Sequence, residues 1–256
     1  MIFDARLAAY GFVVGLLVGL TGMGGGVLMT PLLMLGLGMP ATAAVGTDLA
    51  YSLVTKIAGS WQHWRQQTVD MQLVRTLAIG SVPASIVAVS LIAWLEHRKA
   101  GGMEHGLARA IGGALVVAAA LLAWRALHPQ PPRPHAEGHR RAAIIAVGAL
   151  GGLLVGLTSV GSGSVIMALL VFFVPIEPRK LVGSDVVHAA ILVGVAGAGH
   201  ALLGNVDWAL AAQLLVGSVP GVILGSRLTL RTPRPLLQAA LALLLILSGL
   251  RLLLRP

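Results

Sequence analysis

Two aspartates interrupt apolar stretches of the sequence and are the residues best suited to chemistry there. Asp48 and Asp185 end the related strings VGTD and VGSD. Carboxylates at membrane depth normally face a cavity and mark an ion or proton path. Tyr51 and His188 follow three residues later, one helical turn along the same face, and Lys56 lies on roughly that face. The alternative is that both aspartates hydrogen-bond neighbouring helices or cap broken ones. The predicted proton-coupling or polar site comprises Asp48, Tyr51, Lys56, Asp185, His188 and His200.

Glycine-rich strings are the second candidate. GMGGG at 22–26 and SVGSG at 159–163 fall near the middle of two long apolar segments. Glycine destabilises a helix by about 1 kcal/mol relative to alanine, and irregular backbone at membrane depth requires cover from protein or a wet cavity. We predict broken helices whose exposed N–H groups hold an anion, with a tightly packed kink as the alternative. The predicted substrate-binding residues are Thr21, Gly22, Gly24, Gly25, Gly26, Thr47, Ser159, Gly161, Ser162, Gly163 and Ser184.

Other polar residues and prolines receive structural assignments. Asp70 and Asp207 open apolar segments and are predicted to be helix N-caps. Pro83 and Pro220, both within GSVP strings, are predicted to kink their helices. His63 occupies the same register as His200 and is predicted to lie at the membrane interface beside tryptophans.

An internal repeat determines how these residues are positioned. GLLVGLTGMGGG at 15–26 returns as GLLVGLTSVGSG at 152–163, and the constant offset of 137 residues also relates VGTD to VGSD and the two GSVP strings. Glycines four residues apart recur in both copies and are predicted to allow close helix packing. Transporters are often built from two such copies, with the substrate site where the copies meet.

Composition places the chain in a lipid bilayer. Hydrophobic residues make up 57% of the 256 positions and charged residues 11%, whereas soluble domains are about a quarter charged. The net charge of +9 comes from residues between the apolar runs, so membrane flanks explain it without a nucleic-acid partner. The absence of cysteine removes disulfides and thiolate metal sites.

The predicted fold is all-α and polytopic, with two pseudo-symmetric repeats of about four apolar segments each. Residues 1–127 form the first repeat, 128–141 a polar linker rich in proline, histidine and arginine, and 142–256 the second repeat. Full crossings by the first segment of each copy would make the repeats parallel, whereas re-entrant segments would invert them. The distribution of basic residues favours inverted repeats with the linker in the cytoplasm. The segments are 7–37, 41–62, 69–95, 106–127, 142–175, 179–203, 206–230 and 234–254.

The ordered set of motifs resembles the TauE/SafE family of sulfite-exporter-like permeases. The resemblance rests on GLTGMGGGVLMTPLL, AVGTDLAYSLVTK and GSVP in the first half, and on GLTSVGSG, VGSDVVHA, GHALLGNVDW and GSVPGVILGSRL in the second. It implies a multi-pass permease of the bacterial inner membrane that moves small anions, typically sulfite, organosulfonates or related sulfur oxyanions.

We therefore expect a secondary transporter, not an enzyme, that works by alternating access with proton coupling. The expected partners are a small anionic substrate and the lipid bilayer, and a homo-oligomer is compatible with the sequence. No cofactor and no resident metal are expected. Two rivals remain open: a divalent-cation permease in which the aspartates and histidines bind the metal, and a membrane-embedded enzyme that uses them as acid and base.

Overall fold

A computed structural model describes residues 4–21, 26–98, 101–127, 137–161, 164–173, 178–229 and 234–254. These residues fold into α-helices and the turns between consecutive helices of one described range, which confirms the predicted all-α class. The helices are α1 (Ala5–Thr21), α2 (Gly26–Gly36), α3 (Ala41–Arg65), α4 (Met71–His97), α5 (Met103–Leu127), α6 (Glu137–Thr158), α7 (Ser164–Phe173), α8 (Pro178–Leu202), α9 (Trp208–Thr229) and α10 (Arg234–Leu253).

The helix bounds follow the predicted segments closely. The first and fifth segments each consist of two helices, α1 with α2 and α6 with α7, as the glycine-rich strings predict. In the second half the backbone turns at Ser159 and Gly161, whose φ angles are 57° and 119°. The predicted residues Gly22, Gly24, Gly25, Ser162 and Gly163 lie outside the described residues. Helix α6 begins inside the predicted linker, at Glu137.

The surface of the helix bundle suits a membrane. Among the described residues, five helices are long and apolar enough to cross a bilayer: α4, α5, α6, α8 and α9. Apolar side chains such as Val13, Ile86 and Leu243 point outward, where lipid would contact them. All five tryptophans are exposed and lie in the first or last turns of helices, the depth at which aromatic belts form: Trp61, Trp64, Trp94, Trp124 and Trp208.

Helices of one half pack mainly against helices of the other half. Helix α1 packs along α9 and α4 packs along α6, so each half is held mainly by the other. Glycines make this close approach possible, because a Cβ atom at any of them would collide with the backbone of the facing helix. The glycine contacts repeat at the 137-residue offset: Gly11 with Leu214 and Gly148 with Leu77, then Gly15 with Ser218 and Gly152 with Ser81.

Equivalent helices run antiparallel where they meet. In the α3–α8 pair, Leu49 lies beside Gly197 and Leu53 lies beside Gly194. Residue numbers therefore increase in opposite directions along the two helices, which makes them antiparallel. Helices α5 and α10 are antiparallel in the same way. A twofold axis that relates two antiparallel helices is perpendicular to both helix axes. Because these helices include membrane spans, the contacts favour inverted repeats over parallel ones.

The starts of α4 and α9 are tied to the opposite half. The Asp70 carboxylate accepts hydrogen bonds from the first turn of α4, and Asp207 does the same for α9, which confirms both predicted N-caps. The Asp70 N–H donates to the Ser184 hydroxyl (2.8 Å) and the Asp207 N–H donates to Thr47 (3.0 Å). Thr47 and Ser184, predicted to bind substrate, therefore anchor the ends of helices from the other half.

Candidate functional site

The α3–α8 pair buries a group of polar side chains that we call the polar cluster. Both carboxylates belong to it, together with the single ammonium group between them; Asp185 is 3% exposed and Lys56 7% exposed. Five of the six residues predicted for the polar site are brought together here, and two serines join them from α4 and α9. The members are Asp48, Tyr51, Lys56, Ser81, Asp185, His188 and Ser218.

The Asp48 carboxylate is held by hydroxyl groups. Thr30 of α2 donates to it at 2.5 Å and Ser52 of α3 donates at 3.0 Å. The Ser159 hydroxyl, at the break between α6 and α7, also faces this carboxylate. Asp48 thus connects α3 to the half-helix α2 of its own repeat and to the glycine-rich turn of the other repeat.

Asp185 occupies the equivalent position in α8 but has different surroundings. Its Oδ1 atom is buried without a hydrogen-bond partner. At the offset of 137, the counterparts of Thr30 and Ser52 are Met167 and Ala189, which carry no hydroxyl group. The Coulombic interaction of Lys56 with Asp185 is stronger than its interaction with Asp48. Lys56 therefore couples the two carboxylates electrostatically across the boundary between the halves.

Tyr51 and His188, equivalent residues of the two halves, each bond to a serine of the opposite half. The Tyr51 hydroxyl shares a hydrogen bond with Ser218, and His188 Nε2 shares one with Ser81 at 2.8 Å. The Nδ1 atom of His188 is buried without a partner. The sequence pattern predicts only a kink at each GSVP string, and Pro83 and Pro220 do lie inside α4 and α9. It does not predict the polar contacts of Ser81 and Ser218. Repetition of the serine in both copies was the available signal for its polar role.

His200 lies apart from the polar cluster. Its ring is fully buried, and Nε2 contacts the Gly156 carbonyl oxygen at 3.0 Å, while Nδ1 has no partner. His63 holds the same register in α3, yet it is partly exposed and bonds to Thr68 at 2.9 Å. The two histidines therefore have unlike environments, and His63 lies near the exposed Trp61 and Trp64, as predicted.

Of the predicted anion-binding residues, Thr21, Gly26, Ser159 and Gly161 are described at the helix breaks. Thr21 ends α1 and Gly26 begins α2, whose fifth residue is Thr30. Ser159 is 1% exposed and its hydroxyl completes no hydrogen bond, although it faces Asp48. Gly161 adopts a positive φ that an L-residue rarely accepts. Through Thr30 and Ser159, Asp48 therefore lies beside the described residues of both helix breaks.

A metal site is not evident among the described residues. Within them, no three histidine, aspartate or glutamate side chains converge on a common point. The polar cluster combines two carboxylates with an ammonium group and an imidazole, which suits proton exchange and recognition of a charged ligand.

Comparison with known proteins gives a consistent result. A family model described as "Sulfite exporter TauE/SafE" matches residues 7–252. A probable membrane transporter protein of Bacillus subtilis, YjnA, is 41% identical over 252 residues, which cover 94% of this chain and 96% of YjnA.

More distant relatives carry the same description. The probable membrane transporter protein YdhB of Bacillus subtilis is 27% identical and covers 94% of this chain and 97% of its own length. A probable membrane transporter protein of Xylella fastidiosa is 28% identical and covers 86% of this chain and 83% of its own length. No solved structure matches the chain.

Proposed function

The chain belongs to the sulfite exporter TauE/SafE family, and on that premise we propose that it is a secondary transporter for small sulfur oxyanions. Sulfite and organosulfonates are the proposed substrates. The transporter is a multi-pass protein that we assign to the bacterial inner membrane, since the relatives named above are bacterial. Transport proceeds by alternating access and is coupled to protons.

The observation that carries this proposal is the polar cluster buried beside two helix breaks. Charged side chains inside a membrane protein mark substrate or ion paths, because burial without a function is costly. Lys56 supplies a positive charge, and the N-termini of α2 and α7 add backbone donors at the breaks. An oxyanion between these groups would meet both ammonium and N–H donors.

The arrangement of the halves supports alternating access. The cluster draws residues from both repeats, and the antiparallel α3 and α8 cross there. Small shifts of one repeat against the other would open the cluster to one membrane face and close it to the opposite face. Hydrogen bonds between Tyr51 and Ser218 and between His188 and Ser81 cross the same boundary and would reform in each state.

Flux into liposomes that contain the purified full chain tests this function. Radiolabelled sulfite, sulfate, thiosulfate and ethanesulfonate and two divalent metal ions are each offered with and without a proton gradient. We expect at least one sulfur oxyanion to enter faster than into empty liposomes, and faster still with the gradient. Metal entry without oxyanion movement would reassign the substrate class.

A matched pair of lysine variants locates the path. Lys56→Met removes the buried charge, whereas Lys180→Met makes the same substitution at an exposed residue near the start of α8. We expect oxyanion flux to be lost in Lys56→Met and kept in Lys180→Met. Equal flux in both variants would place the substrate path elsewhere.

A further inference from the structure

The two aspartates of the polar cluster are equivalent in sequence but differ in their surroundings. Asp48 accepts hydrogen bonds from Thr30 and Ser52 and is faced by Ser159. Asp185 has a buried Oδ1 without a partner. Hydrogen bonds donated to a carboxylate favour its ionised form, and a buried carboxylate oxygen that receives none favours the neutral acid. The surroundings of Asp48 therefore suit a fixed negative charge, and those of Asp185 suit a group that gains and loses a proton.

We propose that Asp185 alone exchanges the transported proton, and that its protonation makes the charge of Lys56 available to the substrate anion. This inference rests on the proposed transport function. It assigns proton exchange to the second half and a fixed charge to the first half. Asp48 keeps its charge throughout the cycle. The proton enters Asp185 from water on one side of the membrane and leaves to water on the other side.

The charges of the cluster impose the coupling. With both carboxylates ionised, Asp48, Lys56 and Asp185 together carry one negative charge, and a second anion is repelled. Protonation of Asp185 makes the trio neutral, and a bound anion then restores one negative charge. Because extra buried charge is costly, the anion binds more tightly when Asp185 is protonated than when it is ionised. One proton accompanies each singly charged anion.

Among the described residues, Lys56 is the charged side chain that acts on Asp185. From α3, Lys56 faces Asp185 and Asp48 shares that lysine. His188 lies one turn along α8 and is held through Nε2 by Ser81 of α4. Among the described residues of α4, α6 and α7, which also pack against α8, none places a titratable side chain against Asp185. The Nδ1 of His188 is buried without a partner.

Two aspartate variants test the inference in liposomes. The probe is whichever of radiolabelled hydrogensulfite or ethanesulfonate, both singly charged, the wild type moves faster. With an inward gradient of about one pH unit, the wild type should accumulate a singly charged anion about tenfold, the limit for one proton per anion. Asp185→Asn should still exchange labelled for unlabelled anion across the membrane but should lose this accumulation. Asp48→Asn should transport more slowly while its remaining flux keeps its dependence on the gradient.

A gain-of-hydroxyl variant covers the case in which an aspartate variant fails to fold. Met167→Thr with Ala189→Ser gives Asp185 the hydroxyls that Thr30 and Ser52 provide to Asp48. Donors to Asp185 favour its ionised form, so half-maximal uptake should move to lower pH by roughly one unit. Unchanged pH dependence in this variant would overturn the proposal.

The outcomes separate the inference from the function on which it rests. A wild type that moves none of the sulfur oxyanions, sulfate and thiosulfate included, removes the transport function and the inference together, and one that moves only doubly charged anions removes the inference alone. A wild type that transports, with accumulation lost in Asp48→Asn and kept in Asp185→Asn, removes only the inference. Equal loss of accumulation in the two variants also overturns it, because the carboxylates would then share the proton.

Discussion

Gly112 and Gly249 lie against each other, although one belongs to each half and the two are equivalent positions of the repeat. A Cβ atom on Gly112 would be 2.7 Å from the Gly249 carbonyl oxygen, and one on Gly249 would be 2.8 Å from that of Gly112. A residue that touches its own repeat equivalent lies on the axis that relates the halves. The α5–α10 contact therefore marks that axis at the edge of the bundle, as α3 and α8 mark it at the polar cluster.

Substitution at this contact should destabilise the protein. Gly112→Ala forces two backbones apart, at an expected cost of about 1–3 kcal/mol. Gly113→Ala is the matched control, because a Cβ there meets no atom within 4 Å and alanine favours the helix by about 1 kcal/mol. Thermal unfolding in detergent should show a lower midpoint for Gly112→Ala and an equal or higher one for Gly113→Ala. The reverse order would place the axis contact elsewhere.

The hydrogen bond between Tyr51 and Ser218 should couple the halves energetically. Tyr51→Phe leaves the buried Ser218 hydroxyl without this partner, and Ser218→Ala does the same to Tyr51. In a double-mutant cycle of unfolding free energies we expect a coupling of about 0.5–1.5 kcal/mol. Strictly additive effects of the two substitutions would argue against a bond across the boundary. The cycle of His188 with Ser81 provides an internal comparison.

The cap of α4 should affect stability without affecting transport. Asp70→Ala removes the carboxylate that accepts from Gln72 and Leu73, which should cost about 1 kcal/mol. Asp70→Asn retains an acceptor and serves as the conservative control. Flux per folded molecule should stay at the wild-type level in both variants. A loss of flux in Asp70→Asn would indicate a role beyond capping.

The turn between α6 and α7 should be necessary for transport. Gly161→Ala strains a backbone with φ of 119°, at a cost on the order of 1–3 kcal/mol, and would displace Ser159 from Asp48. Gly204→Ala places a similar strain at φ of 77° in the turn before α9, where a Cβ meets no atom within 4 Å. We expect oxyanion flux to fall in Gly161→Ala and to persist in Gly204→Ala. Similar flux in the two variants would remove the helix break from the mechanism.

Much of the fold could be predicted from local sequence. The lengths of the apolar runs, and the glycines and prolines between them, predicted the helix bounds. The aspartates that precede two apolar runs predicted the N-caps of α4 and α9. The pairing of α1 with α9 and of α4 with α6 could not be predicted, because it depends on which glycine faces meet across the repeat. Local pattern has no information on that choice.

The candidate site was predictable by residue type but not by environment. Asp48 and Asp185 stand out as charges in apolar helices, and the repeat makes them equal in sequence. Their difference comes from Thr30, which reaches Asp48 from another helix, and from Met167 in its place in the second half. His63 and His200 diverge similarly, because one ring lies at a helix end near the surface and the other lies against Gly156.

The packing of helices of one half against helices of the other has a consequence for how the chain is made. Helices α1 and α4 leave the ribosome with packing faces whose partners, α9 and α6, have not yet been synthesised. Those faces meet lipid or an insertion chaperone until the later helices arrive. The first half is thus an unfinished product during translation. A chain that stops after α5 should be a target for membrane proteolysis instead of a stable fragment, and its rescue should require the second half as a separate polypeptide.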